Sequence, residues 1–275
     1  MGKKEQKPQK PVMHVLPPEI AESPLRTTIA VIGAGGTGTH VIEGLAMMNE
    51  ALIALGYNGL SVQVFDDDIV LEHNIGRQSF GWNDCQKNKA EACVARVNRM
   101  YGTDWIAQPI RFDPGKFING MSNIVITAVD NGKTRNQVYE WFKRNAGWRV
   151  VNEIETGRRR PHHHHAFETH YWLDIGNDDR YGQFLLASED LPSSVDLFGK
   201  FSEEPVKASC SAAESLRRQD LFINKLLATH ACNLLWELLR KTRITHHGGY
   251  LNLATGKLRP IKVPFKPPID IPELP

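Results

Sequence analysis

The 275-residue sequence predicts an α/β fold: a doubly wound sheet, parallel in its N-terminal half and continued by antiparallel strands, with helices on both faces. Three observations carry that expectation. Short apolar runs alternate with amphipathic stretches at βαβ spacing. A glycine-rich turn follows the first apolar run, and two later strand-like runs flank a polar turn, IGNDDRYG, suited to a hairpin.

The elements follow in order. Five of the sixteen prolines lie in residues 1–25 and six in 260–275, where fixed φ and missing N–H groups oppose regular structure. An extended N-terminal arm (1–25) and a Pro-rich tail (260–275) are therefore expected to flank a single domain over 26–259. Within it, residues 27–33 read as a strand and 37–55 as a helix, opening the first βαβ unit. Strands follow at 61–66, 105–111, 123–129 and 148–154, with helices over 84–101 and 133–145 between them. Strands at 170–174 and 183–187 form the hairpin. Leu216, Phe222, Leu226, Leu227, Leu234, Leu235, Leu238 and Leu239 fall on helical faces, so one long helix over 211–240 is expected to cover the sheet.

Composition sets limits. Lysine and arginine number 33 against 31 acidic residues, and a net charge of +2 supplies no general field for nucleic acid or membrane. No apolar run reaches the roughly 18 residues that span a bilayer, and the N-terminus MGKKEQKPQK lacks a secretory core, so a cytoplasmic protein is expected. The four cysteines, at 85, 93, 210 and 232, make no CxxC pair for structural zinc.

The chemistry concentrates at the strand ends. Gly33-Ala34-Gly35-Gly36-Thr37-Gly38 fits G-x-G-x-x-G between a strand and a helix, where missing side chains let backbone N–H groups approach phosphate at the helix N-terminus. Asp66 ends the second strand, where a ribose-hydroxyl acceptor belongs; this suits NAD as well as ATP. The segment Asp66-Asp67-Asp68-Ile69-Val70-Leu71-Glu72-His73-Asn74-Ile75-Gly76-Arg77-Gln78, followed by Lys89, adds cations and a neutral donor. An enzyme attacking a triphosphate needs these to neutralise charge and position pyrophosphate, whereas a dehydrogenase leaves them idle. Asp130 follows the apolar strand NIVITAV and projects toward the glycine turn, placed either to hold a divalent cation or to cap the next helix. Ser211-Ala212-Ala213-Glu214 reads as a capping box that would put Cys210 just before a helix N-terminus, where oriented N–H dipoles favour thiolate; the alternative is an unreactive loop cysteine.

Four blocks now resemble the ThiF/MoeB/HesA family, the prokaryotic relatives of ubiquitin-activating enzymes: GAGGTG, DDDIVLEHNIGRQ, NKAEA and AVDNGKTRNQV, in family order between Gly33 and Val138. The resemblance implies that Gly33, Gly35, Gly36, Gly38, Asp66, Asp68, Asn74, Arg77, Gln78, Lys89, Asp130 and Asn131 bind ATP, and that Asp130 coordinates Mg²⁺. It also implies adenylation of the C-terminal carboxylate of a small ubiquitin-like β-grasp protein, catalysed through Arg77, Lys89 and Asp130, with Cys210 as the thioester acceptor, in a homodimer. The middle segment ETHYWLDIGNDDRYGQFLL is similar to ThiF-family members of PRTRC gene systems. Arg135 and Asn136 also match family positions, although an ion pair explains Arg135 equally well. The family's N-terminal Arg-Gln segment is not recognisable, Arg26 being a weak substitute; the four histidines of the Arg158–His165 run RRRPHHHH could bind a transition metal, but consecutive residues point different ways, and the run reads as a solvent loop or a partner contact. Two rival classes remain: an NAD-dependent oxidoreductase and a nucleotide-binding scaffold without turnover.

Overall fold

A computed structural model describes residues 11–116, 122–146, 169–178, 180–203 and 220–264. Its centre is a sheet of eight strands: β2 (Thr27–Ile32), β3 (Leu60–Phe65), β4 (Ile106–Gln108), β5 (Ile124–Thr127), β6 (Tyr171–Asn177), β7 (Tyr181–Ala187), β9 (His246–Asn252) and β10 (Lys257–Lys262). The spatial order is β10-β9-β7-β6-β5-β2-β3-β4. The pairs from β4 across to β6 are parallel, and those from β6 to β10 are antiparallel. This Rossmann-like α/β sheet is the expected fold.

Strand alternation sorts the core into two layers. Ile29 and Val31 of β2, Ile124 and Ile126 of β5, and Tyr171, Leu173 and Ile175 of β6 face one side. They pack against α2 (Gly36–Ala54), α3 (Lys89–Tyr101) and α6 (Ile223–Lys241). Ala30, Ile32, Val125 and Trp172 face the other side, under α4 (Gly132–Ala146) and the short α5 (Ser194–Phe198). Strands buried on both faces are apolar at nearly every position, which is why TTIAVI and IVIT carry so few polar residues.

Several elements depart from expectation. Residues 14–21 are not simply extended: β1 (His14–Val15) pairs antiparallel with β8 (Arg243–Ile244), and α1 (Pro18–Ala21) starts on a proline. Leu16 and Ile20 enter the main core and His14 Nε2 lies 2.7 Å from the Tyr171 hydroxyl, while Pro18 takes the first helical position, where a missing N–H costs nothing. At the other end β10 runs through Pro260, tolerated because β10 is the sheet's edge strand. The helix expected over 84–101 begins only at Lys89: Gln86 has φ +68, which no helix accommodates, and Asn88 Oδ1 caps the Glu91 N–H. The strand expected at 148–154 lies outside the described residues, and β6 is the parallel neighbour of β5.

The long helix is also shorter than its leucine pattern. α6 starts at Ile223, and Asp220, Leu221 and Phe222 lie outside it as a coil and turn. The Ile223 N–H reaches the Asp220 carbonyl, a turn bond rather than a helical one. An apolar periodicity does not register such a break. Cys210 and the capping box at 211–214 lie outside the described residues, and Cys210 precedes the start of α6 by thirteen positions, so α6 is not the helix end expected to lower its pKa.

A buried ion pair joins α4 to the sheet. Asp174, 1% exposed, accepts from Thr127 Oγ1 at 2.7 Å, Arg135 Nε at 2.9 Å and Ser194 Oγ, while Trp172 Nε1 donates to Thr127. The Arg135 guanidinium also stacks 3.5 Å over the Phe201 ring. Arg135 is therefore a cross-element ion pair rather than a free cation. Replacing Asp174 by asparagine turns an amide N–H₂ toward converging donors and leaves Arg135 buried without its counter-charge. We expect Asp174→Asn to lose about 3–5 kcal/mol, read from the urea unfolding midpoint.

Candidate nucleotide site

β2, β3 and β5 lie side by side in parallel, and the segments leaving their carboxyl ends carry the candidate residues. The order of strands reverses between β2 and β5, the switch point where ligands of doubly wound sheets bind. The ladder continues one step beyond each strand. Gly33 N–H donates to the Phe65 carbonyl at 2.9 Å, and Ala128 N–H donates to the Ile32 carbonyl at 2.9 Å. These bonds bring Gly33, Asp66 and Ala128 to one level.

The glycines at 33 and 38 are structural necessities. Gly33 has φ +96, and a Cβ there would sit 2.7 Å from Val129 Cγ1. A Cβ on Gly38 would fall 1.9 Å from the Gly33 carbonyl oxygen, because α2 folds back tightly over the turn. Gly36 lies under the Asn224 side chain of α6, whose Oδ1 accepts from Thr37 Oγ1 at 2.9 Å. Gly35, the α2 N-cap, offers no side-chain cap, and a Cβ added to it would meet nothing within 4 Å, so packing does not demand a glycine there. What remains in front of it is open space at an uncapped helix N-terminus.

Asp66 locks this turn. Its Oδ2 accepts from the Ala34 N–H at 2.6 Å and its Oδ1 from the Asp68 N–H at 2.9 Å. Burial raises its pKa, working against those two bonds and the nearby Lys89 charge. Asn88 Nδ2 donates to the Asp66 carbonyl at 2.8 Å and the Asp68 carbonyl at 3.0 Å, fixing the acidic turn to the start of α3. Lys89, the first residue of α3, is largely buried, with Nζ 2.7 Å from Asp68 Oδ2. A cation at a helix N-terminus opposes the macrodipole, and Asp68 offsets this. The carboxylates of Asp66, Asp67 and Asp68 cluster within 4.8 Å, but the first and last are thus already engaged.

Across the turn, Asn74 is buried and its Oδ1 accepts from the Leu71 N–H at 2.8 Å, which leaves its two amide donors outside that bond. Arg77 and Gln78 follow on the same segment. Arg77 Nε and Gln78 Oε1 are buried side-chain atoms with no hydrogen-bond partner among the described residues. Burial lowers the Arg77 pKa, and the opposing charge of Asp130 raises it. Asp130 is exposed, and no hydrogen bond or ion pair among the described residues engages it. The helix cap is Asn131, whose Oδ1 accepts from the Lys133 N–H at 2.9 Å and the Thr134 N–H at 3.3 Å. The capping role considered for Asp130 thus falls to its neighbour.

Of the remaining candidates, Arg26 makes an exposed ion pair with Asp104. Asn136 clamps Phe201, donating to its carbonyl and accepting from its N–H, both at 3.0 Å. Cys93 and Cys232 are buried and their thiols are pushed up to about 12, which removes them as nucleophiles at neutral pH. Cys85 is half-buried. The Arg158–His165 run lies outside the described residues. Sequence reasoning missed Asn224 and Asp174; each is a polar residue among apolar neighbours of a helix or strand, the one signal available for them.

Together the fold and site define a doubly wound α/β protein with an open glycine-turn site, lined by cations, at its switch point. The ThiF family model matches residues 12–255, and the chain belongs to that family. No curated protein matches it. Solved structures of similar fold include PaaA, at 16% identity and a TM-score of 0.55 over 89% of this chain and 65% of that one. Escherichia coli MccB is similar at 13% identity and a TM-score of 0.54, over 90% of this chain and 64% of that one. MccB has also been solved with ATP, and with AMPCPP and MccA, the latter at 14% identity, a TM-score of 0.54 and coverage of 90% and 66%. The chain thus spans just under two thirds of the length of PaaA and MccB.

The raised pKa of Asp66 gives a signed prediction. A carboxyl whose folded pKa lies above its ordinary value of 3.8 favours folding when protonated, and that contribution is lost as pH rises through the folded pKa. The stability of wild type minus that of Asp66→Asn should therefore fall as pH rises from 3.8, measured by urea unfolding at a series of pH values.

Proposed function

We propose that this chain activates a carboxylate with ATP: the carboxylate oxygen attacks the α-phosphorus, the bond to pyrophosphate breaks, and an acyl-adenylate forms. One observation carries the reading. Arg77 Nε and Gln78 Oε1 are buried and unpartnered in the same strand-end cluster as the glycine turn. Leaving such groups unsatisfied costs about 1–3 kcal/mol each, a cost that a bound ligand would remove.

The residues divide the work. The N–H groups of the Gly33, Gly35, Gly36 and Gly38 turn meet phosphate oxygens at the α2 N-terminus. Asp66 keeps lone pairs beyond its two backbone bonds and takes ribose hydroxyls. The Arg77 fork, the Lys89 ammonium and the Asn74 amide neutralise and orient the triphosphate, with Gln78 and Asn131 at its edge and Asp68 steadying Lys89. Asp130 is the residue that would hold Mg²⁺, since its carboxylate is exposed, uncommitted among the described residues and faces Arg77. Bound there, the ion supplies charge neutralisation at the triphosphate. The family and the MccB complexes with ATP and with AMPCPP and MccA support this reading.

The substrate in this proposal is the C-terminal carboxylate of a small ubiquitin-like β-grasp protein, and the working unit is a homodimer in the cytoplasm. Among the described residues no helix is long and apolar enough to cross a membrane. Cys210 is the proposed thioester acceptor. With Cys93 and Cys232 removed by burial, Cys85 is its competitor.

Calorimetry should find Mg-ATP binding in preference to NAD; tight NAD binding without ATP binding would return the oxidoreductase. Pyrophosphate exchange into ATP, dependent on an added β-grasp protein, separates an adenylating enzyme from a scaffold. Asp130→Asn keeps size and removes charge, and we expect it to abolish most exchange while leaving the melting temperature unchanged. With Cys210→Ala, exchange should persist while a reductant-sensitive adduct with the carrier disappears from a nonreducing gel. If the adduct survives, Cys85 is the acceptor.

A further inference from the structure

The segment that carries Arg77 and Gln78 has neither helix nor strand of its own from residue 75 to 81, and it holds two unpartnered buried polar atoms. Left to itself such a loop would relax until those atoms found partners, so neighbouring structure must hold it. Phe80, 6% exposed, anchors its far side in the core. The Gln78 N–H is tied locally to the Asn74 carbonyl at 2.9 Å, and the hydrogen bonds that tie the segment to α2 fall on Ser79.

Ser79 N–H reaches Thr39 Oγ1 at 3.4 Å, and the Thr39 hydroxyl donates to the Gly36 carbonyl at 3.1 Å. Ser79 Oγ donates to Glu43 Oε1 at 2.6 Å. Thr39 and Glu43 lie one turn apart on α2, the helix that starts at the glycine turn. Glu43 is held in turn: His40 Nδ1 lies 3.4 Å from Oε2, and Arg96 of α3 lies 3.4 Å from Oε1. Arg96 extends to Asp84 Oδ2 at 3.7 Å, and that oxygen accepts from the Gly81 N–H at 3.0 Å. An unbroken chain of polar contacts therefore runs from the glycine turn through Thr39 to Ser79, next in sequence to Gln78, and across Glu43 and Arg96 to α3.

We propose that Thr39, Ser79 and Glu43, braced by Arg96, form a positioning relay that sets Arg77 and Gln78 at a fixed distance from the glycine turn, so that a nucleotide triphosphate meets both at once. The relay rests on the nucleotide-binding reading above and adds to it residues that touch no ligand. Burial would raise the Glu43 pKa, but the bonds from His40 and Ser79 and the Arg96 charge outweigh it and keep the carboxylate ionised. A charged acceptor makes the Ser79 bond a strong one.

The test uses the full chain, Mg²⁺ and two probes, AMPCPP and AMP, with calorimetric affinities for each. Ser79→Ala and Glu43→Gln should weaken AMPCPP binding about tenfold, the effect of one charge-assisted hydrogen bond, while AMP binding changes little because Arg77 serves the outer phosphates. Ser79→Thr, which keeps the hydroxyl, should restore AMPCPP affinity. In an Arg77→Ala, Gln78→Ala background, Ser79→Ala should add no further loss, because its effect passes through those two residues, and in Arg77→Ala alone the added loss should be well below tenfold. Equal weakening of both probes, or full additivity with Arg77→Ala, would reduce Ser79 to a packing residue and overturn the relay. If wild type binds AMPCPP and the variants bind it as tightly, the relay fails alone. If wild type binds neither probe, the nucleotide reading fails with it.

Discussion

The pairing of β2 with β3 on one side and β5 on the other is the constraint on which the rest depends. Parallel neighbours end together, so the chain must leave all three strands at the same edge of the sheet. Each exit then carries a different function: a glycine turn after β2, a carboxylate after β3, and a second carboxylate after β5. The ladder bonds from Gly33 to Phe65 and from Ala128 to Ile32 extend this registration one residue past the strands. Gly38 is compelled by the same closeness, since α2 must turn back directly above Gly33.

Charge at the site is arranged in opposition. Asp66 is spent partly on the glycine turn itself, and Lys89 sits at a helix start where its charge is unfavourable without Asp68. Arg77 feels the opposite charge of Asp130, with no ion pair between them among the described residues. Natural interiors seldom leave buried polar atoms unpaired, and among the described residues Arg77 Nε and Gln78 Oε1 are the exceptions, the observation on which the proposed binding role rests. By contrast, Arg135 donates through Nε and Nη2 to Asp174, whose carboxylate also accepts from Thr127 and Ser194, and the pair serves to seat α4 on the sheet. Two arginines in neighbouring family blocks thus have opposite roles, distinguished by whether their donors are satisfied.

The α6 helix links the C-terminal half to the site. It runs parallel to α2, with Asn224 against Gly36 and Thr37 near one end, Cys232 against Gly44 in the middle, and Tyr57 bonded to the Arg240 carbonyl near the other. Side-by-side parallel helices align their dipoles unfavourably, and both present an N-terminus toward the glycine turn without a side-chain cap. An anionic ligand at that edge would relieve the arrangement.

Periodicity and glycine spacing in the sequence determined β2 to β7, the helices on both faces and the placing of Asp66 and Asp130 at strand ends, with Arg77 and Lys89 following β3, because these depend on local pattern and chain order; β9, with Gly248 and Gly249, and β10, with Pro260, gave no such pattern. What lay beyond them depended on contacts distant in sequence. No local signal announces that Arg135 finds Asp174 thirty-nine residues later, or that Asn224 closes over a turn 187 residues earlier. Nor did proline content show that Leu16 and Ile20 would be drawn into the core and Pro260 into an edge strand. The start of α6 escaped for a related reason: Leu216 stands at helical spacing from the apolar residues after Asp220, and only the packed fold decides where the backbone breaks. Burial and pairing of polar groups are properties of the assembled structure, and they alone separate Asn131 as the cap of α4 from Asp130, exposed and uncommitted among the described residues.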